Sequence, residues 1–224
     1  MQSASKPSLK KNILANFVGQ GWSIFVGFLV VPLYIHFIGV EGYGLVGFYT
    51  TLQATFNSFL DFGISITINR EIARYTVSPN KIGFTRDLVR TIEMIYWAIG
   101  LMLGIIVCSS ASLIAVNWLH SENISIETLK AVIFLMGLIT FFQWPLTFYQ
   151  GGLIGLQKLV LLNGINVFFA TFRGLGAVLI LWLVSPSILA FFLWQLLSSI
   201  LQLTTSMILL WRNLPTSDHI PLIR

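Results

Sequence analysis

A single cation interrupts one long apolar stretch of this sequence, and its chemistry suits a charged ligand. Arg173 lies within FFATFRGLGAVLILWLV, residues 168–184, where no other charged residue occurs. A guanidinium is a planar fork of donors that stays charged at any physiological pH, and this geometry matches phosphate. Placing it in hydrocarbon costs at least about 3 kcal/mol on insertion scales. The stretch therefore predicts either a cation that faces a ligand in a hydrated cavity or a buried ion pair.

Asp61 is the natural partner for such an ion pair, because it is the acidic residue placed well inside an apolar segment. It is predicted nearer one membrane surface than Arg173, so the two groups are expected to be offset in depth. Two interpretations of Asp61 remain open. It couples transport as a protonatable or ion-coordinating group, or it caps and packs near Arg70 and Arg74 at the membrane edge.

Neutral polar residues recur at helical spacing in five apolar segments. Residues three and four apart share one face of a helix, so each set forms a stripe. Packing between helices accounts for some amides and hydroxyls, at about 0.6 kcal/mol each. Five stripes together favour a shared hydrated cavity, because polar groups in membranes normally face an interior or an aqueous path. The stripes are Asn16, Gln20 and Ser23; Thr50, Gln53, Asn57, Asp61 and Ser65; Thr140, Gln143, Thr147 and Gln150; Asn163, Asn166 and Arg173; and Gln195, Ser198, Ser199, Gln202 and Ser206.

Residue patterns for catalysis or for a cofactor are not found. The single cysteine, Cys108, excludes an intrachain disulfide framework and a cysteine-based metal cluster. The three histidines are scattered without ligand spacing, and no nucleophile–base pair or phosphate-binding glycine loop occurs. We therefore predict a protein that is not an enzyme and that has no metal or cofactor.

The composition requires a membrane. Of 224 residues, 56% are hydrophobic and only 9% are charged, whereas soluble domains carry about 25% charged residues. A spanning helix needs about 20 mostly apolar residues, and six segments qualify. They are Ile13–Ile38, Leu45–Ile66, Thr91–Val116, Leu129–Gly155, Leu159–Val184 and Ile188–Trp211.

The basic residues predict the orientation of these helices. Eleven of the 13 basic residues lie at the N-terminus, in the second and fourth loops, or in the C-terminal tail. In a chain that crosses the membrane six times, these segments all lie on the same side. Because cytoplasmic loops are enriched in Lys and Arg, both termini are predicted to be cytoplasmic. The basic second loop lacks the interleaved aromatics that stack on bases, so no nucleic-acid partner is predicted.

Three stretches carry a resemblance to a known family. In chain order they are NFVGQGWSIFVGFLVVPLYIHFIGVEGYG, LDFGISITINREIAR and QWPLTFYQGGLIGLQKLVLLN. Their order and spacing resemble the Wzx-type polysaccharide flippases, in the superfamily that also holds the MATE transporters. The matching positions are Pro32, Gly39, Glu41, Tyr43, Gly44, Asp61, Gly63, Arg70, Ala73, Pro145, Gly155, Gln157, Lys158 and Asn163.

The resemblance implies a function and a fold. Such proteins flip an undecaprenyl-pyrophosphate-linked oligosaccharide across the inner membrane, through a cavity between two six-helix lobes. This chain then corresponds to one lobe: an all-α transmembrane bundle with a cytoplasmic N-terminus (1–12), a six-helix lobe (13–211) and a tail that begins an inter-lobe linker (212–224). Its implied partners are the lipid-linked oligosaccharide, membrane lipids and a second six-helix lobe, from itself or from another chain.

The resemblance also implies which residues meet the substrate. Cationic residues in the cavity are thought to meet the pyrophosphate, and Arg173 takes that role by chemistry and depth. The sugar path is expected to be lined by Gln20, Gln53, Asn57 and Asn166. Two alternatives remain: a MATE-like cation-coupled drug antiporter, which predicts an acid-rich cavity, and a truncated lobe that does not transport.

Overall fold

The computed structural model describes residues 9–60, 82–117 and 123–214, and these ranges form five α-helices. In chain order they are α1 (Leu9–Leu60), α2 (Ile82–Asn117), α3 (Ile126–Gly155), α4 (Leu159–Leu183) and α5 (Ile188–Asn213). The predicted all-helical architecture is confirmed for these ranges.

Each helix is long and apolar enough to cross a membrane. The shortest, α4, has 25 residues and is about 37 Å long, whereas the hydrocarbon core is about 30 Å thick. Large apolar side chains cover the outer surface: Phe28 is 77% exposed and Leu183 is 69% exposed. Such a surface is stable in lipid and not in water, so the chain is a multi-pass membrane protein.

Helix α1 contains the first two predicted spans, with a break in the backbone between them at Gly39. Gly39 has φ 73° and ψ 172°, a conformation that an L-residue with a side chain rarely adopts. The first arm (9–38) and the second arm (40–60) fold back on each other. Both reach α5, because Tyr34 contacts Phe191 and Tyr49 contacts Phe192, with ring centroids 4.9 Å and 5.9 Å apart.

This arrangement differs from the predicted separation of the two spans by a loop at residues 39–44. The helix continues on both sides of a single non-helical residue. The tight turn follows from glycine, since one residue with positive φ reverses the chain without an extended connection. The end of the second predicted span, residues 61–66, and with it Asp61 and Ser65, lies outside the described residues. The total of six crossings therefore stays a prediction.

Helix α3 lies at the centre of the bundle and has more buried residues than any other helix. One of its faces packs against α2 through a glycine seam, formed by Gly100 and Gly104 of α2 and Gly137 of α3. A Cβ atom at Gly104 would lie 2.9 Å from the Phe141 Cβ, and one at Gly137 would lie 2.5 Å from the Cys108 Sγ. Gly100 and Gly104 therefore serve helix packing, because small residues allow the two backbones to approach this closely.

At one end of the seam, a hydrogen-bonded group of side chains joins α2, α3 and α5. The Tyr149 hydroxyl donates to Glu93 Oε1, and it accepts from Trp97 Nε1 at 3.0 Å. Trp211 Nε1 donates to the same Glu93 oxygen at 3.3 Å. We refer to these four residues as the Glu93 network. It gives each aromatic donor a partner and so stabilises the contact between the three helices.

Candidate functional site

Arg173 lies on α4 and extends its guanidinium between α3 and α5. Its Nη2 atom donates to Gln202 Oε1 at 2.8 Å and approaches Ser199 Oγ at 3.5 Å. The following residue is held by the first arm of α1, because the Tyr34 hydroxyl donates to the Gly174 carbonyl at 2.9 Å. Three helices and the first arm therefore fix the position of this cation.

Gln143 of α3 completes the immediate surroundings of the guanidinium. A guanidinium has only donors, so the amide that faces it must present its oxygen. In that orientation the Gln143 oxygen accepts from Nη1 at 3.1 Å and from Nη2 at 2.9 Å. Two amide oxygens from different helices, those of Gln143 and Gln202, thus hold the charged end of Arg173.

The described partners of Arg173 are all neutral. Its hydrogen bonds go to Gln143, Ser199 and Gln202, and none of the described carboxylates pairs with it. The Nε atom is buried and has no partner among the described residues. The predicted ion pair with Asp61 involves a residue outside the described ranges. Within the described part of the chain, the positive charge is solvated by dipoles and not neutralised.

The guanidinium faces a cavity of about 360 Å³, which we call cavity 1. Its volume lies at the lower end of the range for ligand pockets, about 300–1,000 Å³. The walls come from the second arm of α1, from α3 and from α4, and they carry one charged residue. The lining residues are Tyr49, Thr50, Gln53, Ala54, Asn57, Gln143, Trp144, Thr147 and Arg173.

The two predicted amides in cavity 1 have different surroundings. Gln53 is held by protein, because its Nε2 atom donates to Thr140 Oγ1 at 2.8 Å and to the Tyr49 hydroxyl at 3.1 Å. Asn57 is exposed, and its side chain has no hydrogen bond to the rest of the described chain. Gln53 therefore fixes the wall of cavity 1, whereas Asn57 is available to a ligand.

The remaining two predicted residues, Gln20 and Asn166, line a different cavity. Cavity 2, of about 380 Å³, lies between the first arm of α1 and α4. It is lined by Gly19, Gln20, Ser23, Ile24, Asn163 and Asn166. The structure thus divides the predicted substrate-contacting set: Arg173, Gln53 and Asn57 lie together, and Gln20 and Asn166 lie together elsewhere.

The polar stripes converge on Arg173 from three directions. The second arm of α1 contributes Gln53, α3 contributes Gln143, and α5 contributes Ser199 and Gln202. The stripe of the first arm turns instead into cavity 2. The side chain of Asn16 lies outside the description.

Gln143, Ser199 and Gln202 belong to the predicted polar stripes but are not among the residues predicted to contact substrate. Helical spacing gives the face on which a side chain lies, but not which helix stands opposite. The signal that identifies them is a donor-only cation on one helix, which requires acceptors on its neighbours. The aromatic wall of cavity 1, Tyr49 and Trp144, has no comparable signal, because aromatic residues occur throughout these helices.

The chemistry of cavity 1 is that of an anion site. In a medium of low dielectric constant a cation that is not neutralised attracts an anion more strongly than it would in water. Its planar donors match the oxygens of phosphate. Among the described residues that line cavity 1, none is acidic.

Comparison with known proteins gives one family and one named relative. The family model described as "Polysaccharide biosynthesis protein" matches residues 9–222. The relative is the "Putative O-antigen transporter" of Escherichia coli (strain K12), 25% identical over 97 residues. That match covers 43% of this chain and 21% of the relative. No solved structure matches the chain.

Proposed function

This chain belongs to the polysaccharide biosynthesis protein family, and from that premise we propose that it is a transporter lobe. The lobe flips an undecaprenyl-pyrophosphate-linked oligosaccharide across the inner membrane during the synthesis of a cell-surface polysaccharide. Membership of this family, together with the similarity to a protein named as an O-antigen transporter, supports a polysaccharide flippase. The proposal adds two points to this support: the substrate is lipid-linked, and the membrane is the inner membrane.

The observation that carries the proposal is the state of Arg173. A guanidinium in a membrane helix is costly, so it is retained where it has a function. Here its Nη atoms are held by neutral oxygens, and the residue lines cavity 1 without a described counter-ion. An anion from outside the described chain completes such a site, and pyrophosphate offers several oxygens to a planar fork of donors.

The topology in the proposal has six crossings with both termini in the cytoplasm. It is supported by the distribution of Lys and Arg, since 11 of the 13 lie in segments that fall on one side of a six-helix arrangement. The lobe then comprises residues 13–211, with residues 1–12 and 212–224 in the cytoplasm. A reporter fused to the C-terminus is expected to be active in the cytoplasm, and activity in the periplasm would contradict this topology.

A second six-helix lobe, from another copy or another chain, is proposed to close cavity 1. The second arm of α1 leaves several polar side chains exposed, among them Thr50, Thr51, Thr55 and Asn57. Polar groups that face lipid are unfavourable, so this surface is better satisfied by water in a cavity or by a protein partner. The match covers 21% of the named relative, so activity of the whole transporter is part of the proposal.

The two alternatives make different demands on the same site. A cation-coupled drug antiporter needs acidic groups in its cavity, whereas the described lining of cavity 1 contains an arginine and no acid, and Asp61 lies outside the described residues. A lobe that does not transport has no need for an arginine that lacks a described counter-ion.

Asp61 enters the proposal as a coupling group or as a structural group near Arg70 and Arg74. The pH dependence of transport, compared between the wild type and the Asp61→Asn variant, separates these roles.

The main test measures transport of the lipid-linked oligosaccharide in proteoliposomes, with a partner lobe supplied if one is required. Arg173→Gln is expected to reduce the rate by about two orders of magnitude, because hydrogen bonds to charged groups contribute about 1.5–3 kcal/mol each. Arg212→Gln removes an exposed arginine at the end of α5 and serves as the matched control. Wild-type transport by a folded Arg173→Gln protein would remove Arg173 from the mechanism.

A further inference from the structure

Cavity 2 is a second polar chamber, separate from the arginine site. It lies where the first arm of α1 runs beside α4, with Gly19 close to Asn163 and Val167. Its described polar groups are two asparagine amides, one glutamine amide and one serine hydroxyl, and none of the described lining residues is charged. It is therefore unsuited to attract an anion.

Within the described part of the chain, the amides of cavity 2 are not all used in packing. Gln20 and Asn163 form no side-chain hydrogen bond with another described residue. Asn166 accepts from Gln150 Nε2 at 3.1 Å through its carbonyl oxygen, which leaves its NH₂ group for the cavity. Polar groups without partners are costly at membrane depth. If these amides served only to join helices, they would bond to each other across the α1–α4 contact.

A neutral ligand with many hydroxyl groups satisfies this lining. An amide offers donors and acceptors together, and so does a hydroxyl group, so the two pair in either direction. The volume of about 380 Å³ is within the range for a small-molecule site, about 300–1,000 Å³. The chemistry of cavity 2 is thus that of a carbohydrate subsite.

The position of cavity 2 relates it to Arg173. Asn163, Asn166 and Arg173 lie on the same face of α4. Along the helix axis, the two asparagines lie about 10–15 Å from Arg173 at 1.5 Å per residue. Gln150 links the two cavities, because it bonds to Asn166 and follows Thr147 of cavity 1 by one turn of α3. One extended headgroup can therefore contact both cavities.

We propose that cavity 2 binds the sugar portion of the same lipid-linked molecule whose pyrophosphate is held at Arg173. This inference rests on the proposed function and adds a division of labour: anion recognition in cavity 1 and hydroxyl recognition in cavity 2, through Gln20, Asn163 and Asn166. The nearby groove that is lined by Val160, Gly164 and Phe168 is apolar. It lies between α4 and α5, because Thr205 also lines it.

The test compares two probes on the purified full chain in nanodiscs: undecaprenyl pyrophosphate, and the same lipid carrying one N-acetylhexosamine on its pyrophosphate. The variant is Gln20→Leu with Asn163→Leu. It is expected to weaken binding of the glycosylated lipid about tenfold, to the level of the bare lipid, and to leave binding of the bare lipid unchanged. Arg173→Gln is expected to weaken binding of both probes.

The outcomes separate this inference from the proposed function. Equal weakening of both probes by the cavity 2 variant, or no weakening, would overturn the sugar subsite while leaving the pyrophosphate site in place. If Arg173→Gln bound both probes as the wild type does, the proposed function would fail. If the wild-type chain bound neither lipid, both proposals would fail.

A second measurement avoids dependence on the folding of the leucine variant. In a Cys108→Ser background, Asn163→Cys places a thiol in cavity 2, and Gly164→Cys places one in the apolar groove as the matched control. The glycosylated lipid is expected to slow thiol modification at position 163 but not at position 164, and undecaprenyl pyrophosphate to slow neither. Equal protection by both lipids at position 163, or protection by neither, would overturn the inference.

Discussion

The two faces of α3 pack against their neighbours in different ways. Toward α2, the glycine seam brings backbones so close that a Cβ atom at Gly137 would overlap Cys108. Toward α4 and the second arm of α1, the helix presents Gln143 and Thr147 to cavity 1. The contact with α2 thus depends on small residues, whereas the face toward cavity 1 carries polar side chains that bond to Arg173 and to Gln53.

The largest expected effect comes from breaking the glycine seam. In Gly137→Ala, the new Cβ would lie 2.5 Å from the Cys108 Sγ and 2.9 Å from the Cys108 backbone nitrogen. We expect the free energy of unfolding to fall by about 2–3 kcal/mol, as is typical of overpacking. The change is measured by thermal unfolding in detergent, with size-exclusion chromatography used to determine the folded fraction at each temperature.

Gly21→Ala is the matched control, because nothing lies within 4 Å of a Cβ atom at that position. It is expected to keep or slightly raise the stability, by up to about 1 kcal/mol, since alanine is the better helix former. Similar losses in both variants would show that the seam is not a close contact.

A smaller effect is expected in the Glu93 network, where the polar groups are satisfied. Tyr149→Phe removes the hydroxyl that donates to Glu93 and accepts from Trp97. Trp97 Nε1 then loses its partner and Glu93 Oε1 keeps only Trp211, which is expected to cost about 1–2 kcal/mol, while transport per folded molecule stays at the wild-type level. Tyr43→Phe is the control, since the Tyr43 hydroxyl bonds to no other described residue. Loss of transport without loss of stability would place Tyr149 in the transport pathway.

The smallest effect distinguishes the two amides of cavity 1. Gln53→Leu breaks hydrogen bonds to Thr140 and Tyr49, and we expect a loss in stability of about 0.6 kcal/mol for each of the two bonds, the average for such bonds in membranes. Asn57→Leu breaks none to a described residue, so it is expected to leave stability unchanged and to slow transport. Greater destabilisation by Asn57→Leu would reverse the assignment of wall and ligand contact.

Much of the fold and part of the site could be predicted from the sequence. The scarcity of charge predicts a membrane protein, and the last three apolar segments correspond to α3, α4 and α5 within three residues, whereas α2 begins nine residues before its predicted start at Thr91. Arg173 stands out because one charge in an apolar helix requires an explanation. These features depend on composition and on local periodicity, which a single sequence contains.

The remainder depends on which helices are neighbours. Helical spacing places Gln20 and Gln53 on polar faces but does not say that one faces α4 and the other faces α3. The division into two cavities therefore could not be predicted. Nor could the continuity of α1 through residues 39–44, because it depends on the single backbone conformation of Gly39.

The one-residue turn at Gly39 has a consequence for how the chain is made. With no extended connection between the two arms, they are expected to enter the membrane together as a helical hairpin during synthesis. The first arm, with exposed Phe17, Phe25 and Phe28, then supplies the partitioning energy for a second arm that carries Thr50, Gln53 and Asn57. Insertion of the polar second arm, which forms one wall of cavity 1, is thus expected to depend on the apolar first arm that precedes it.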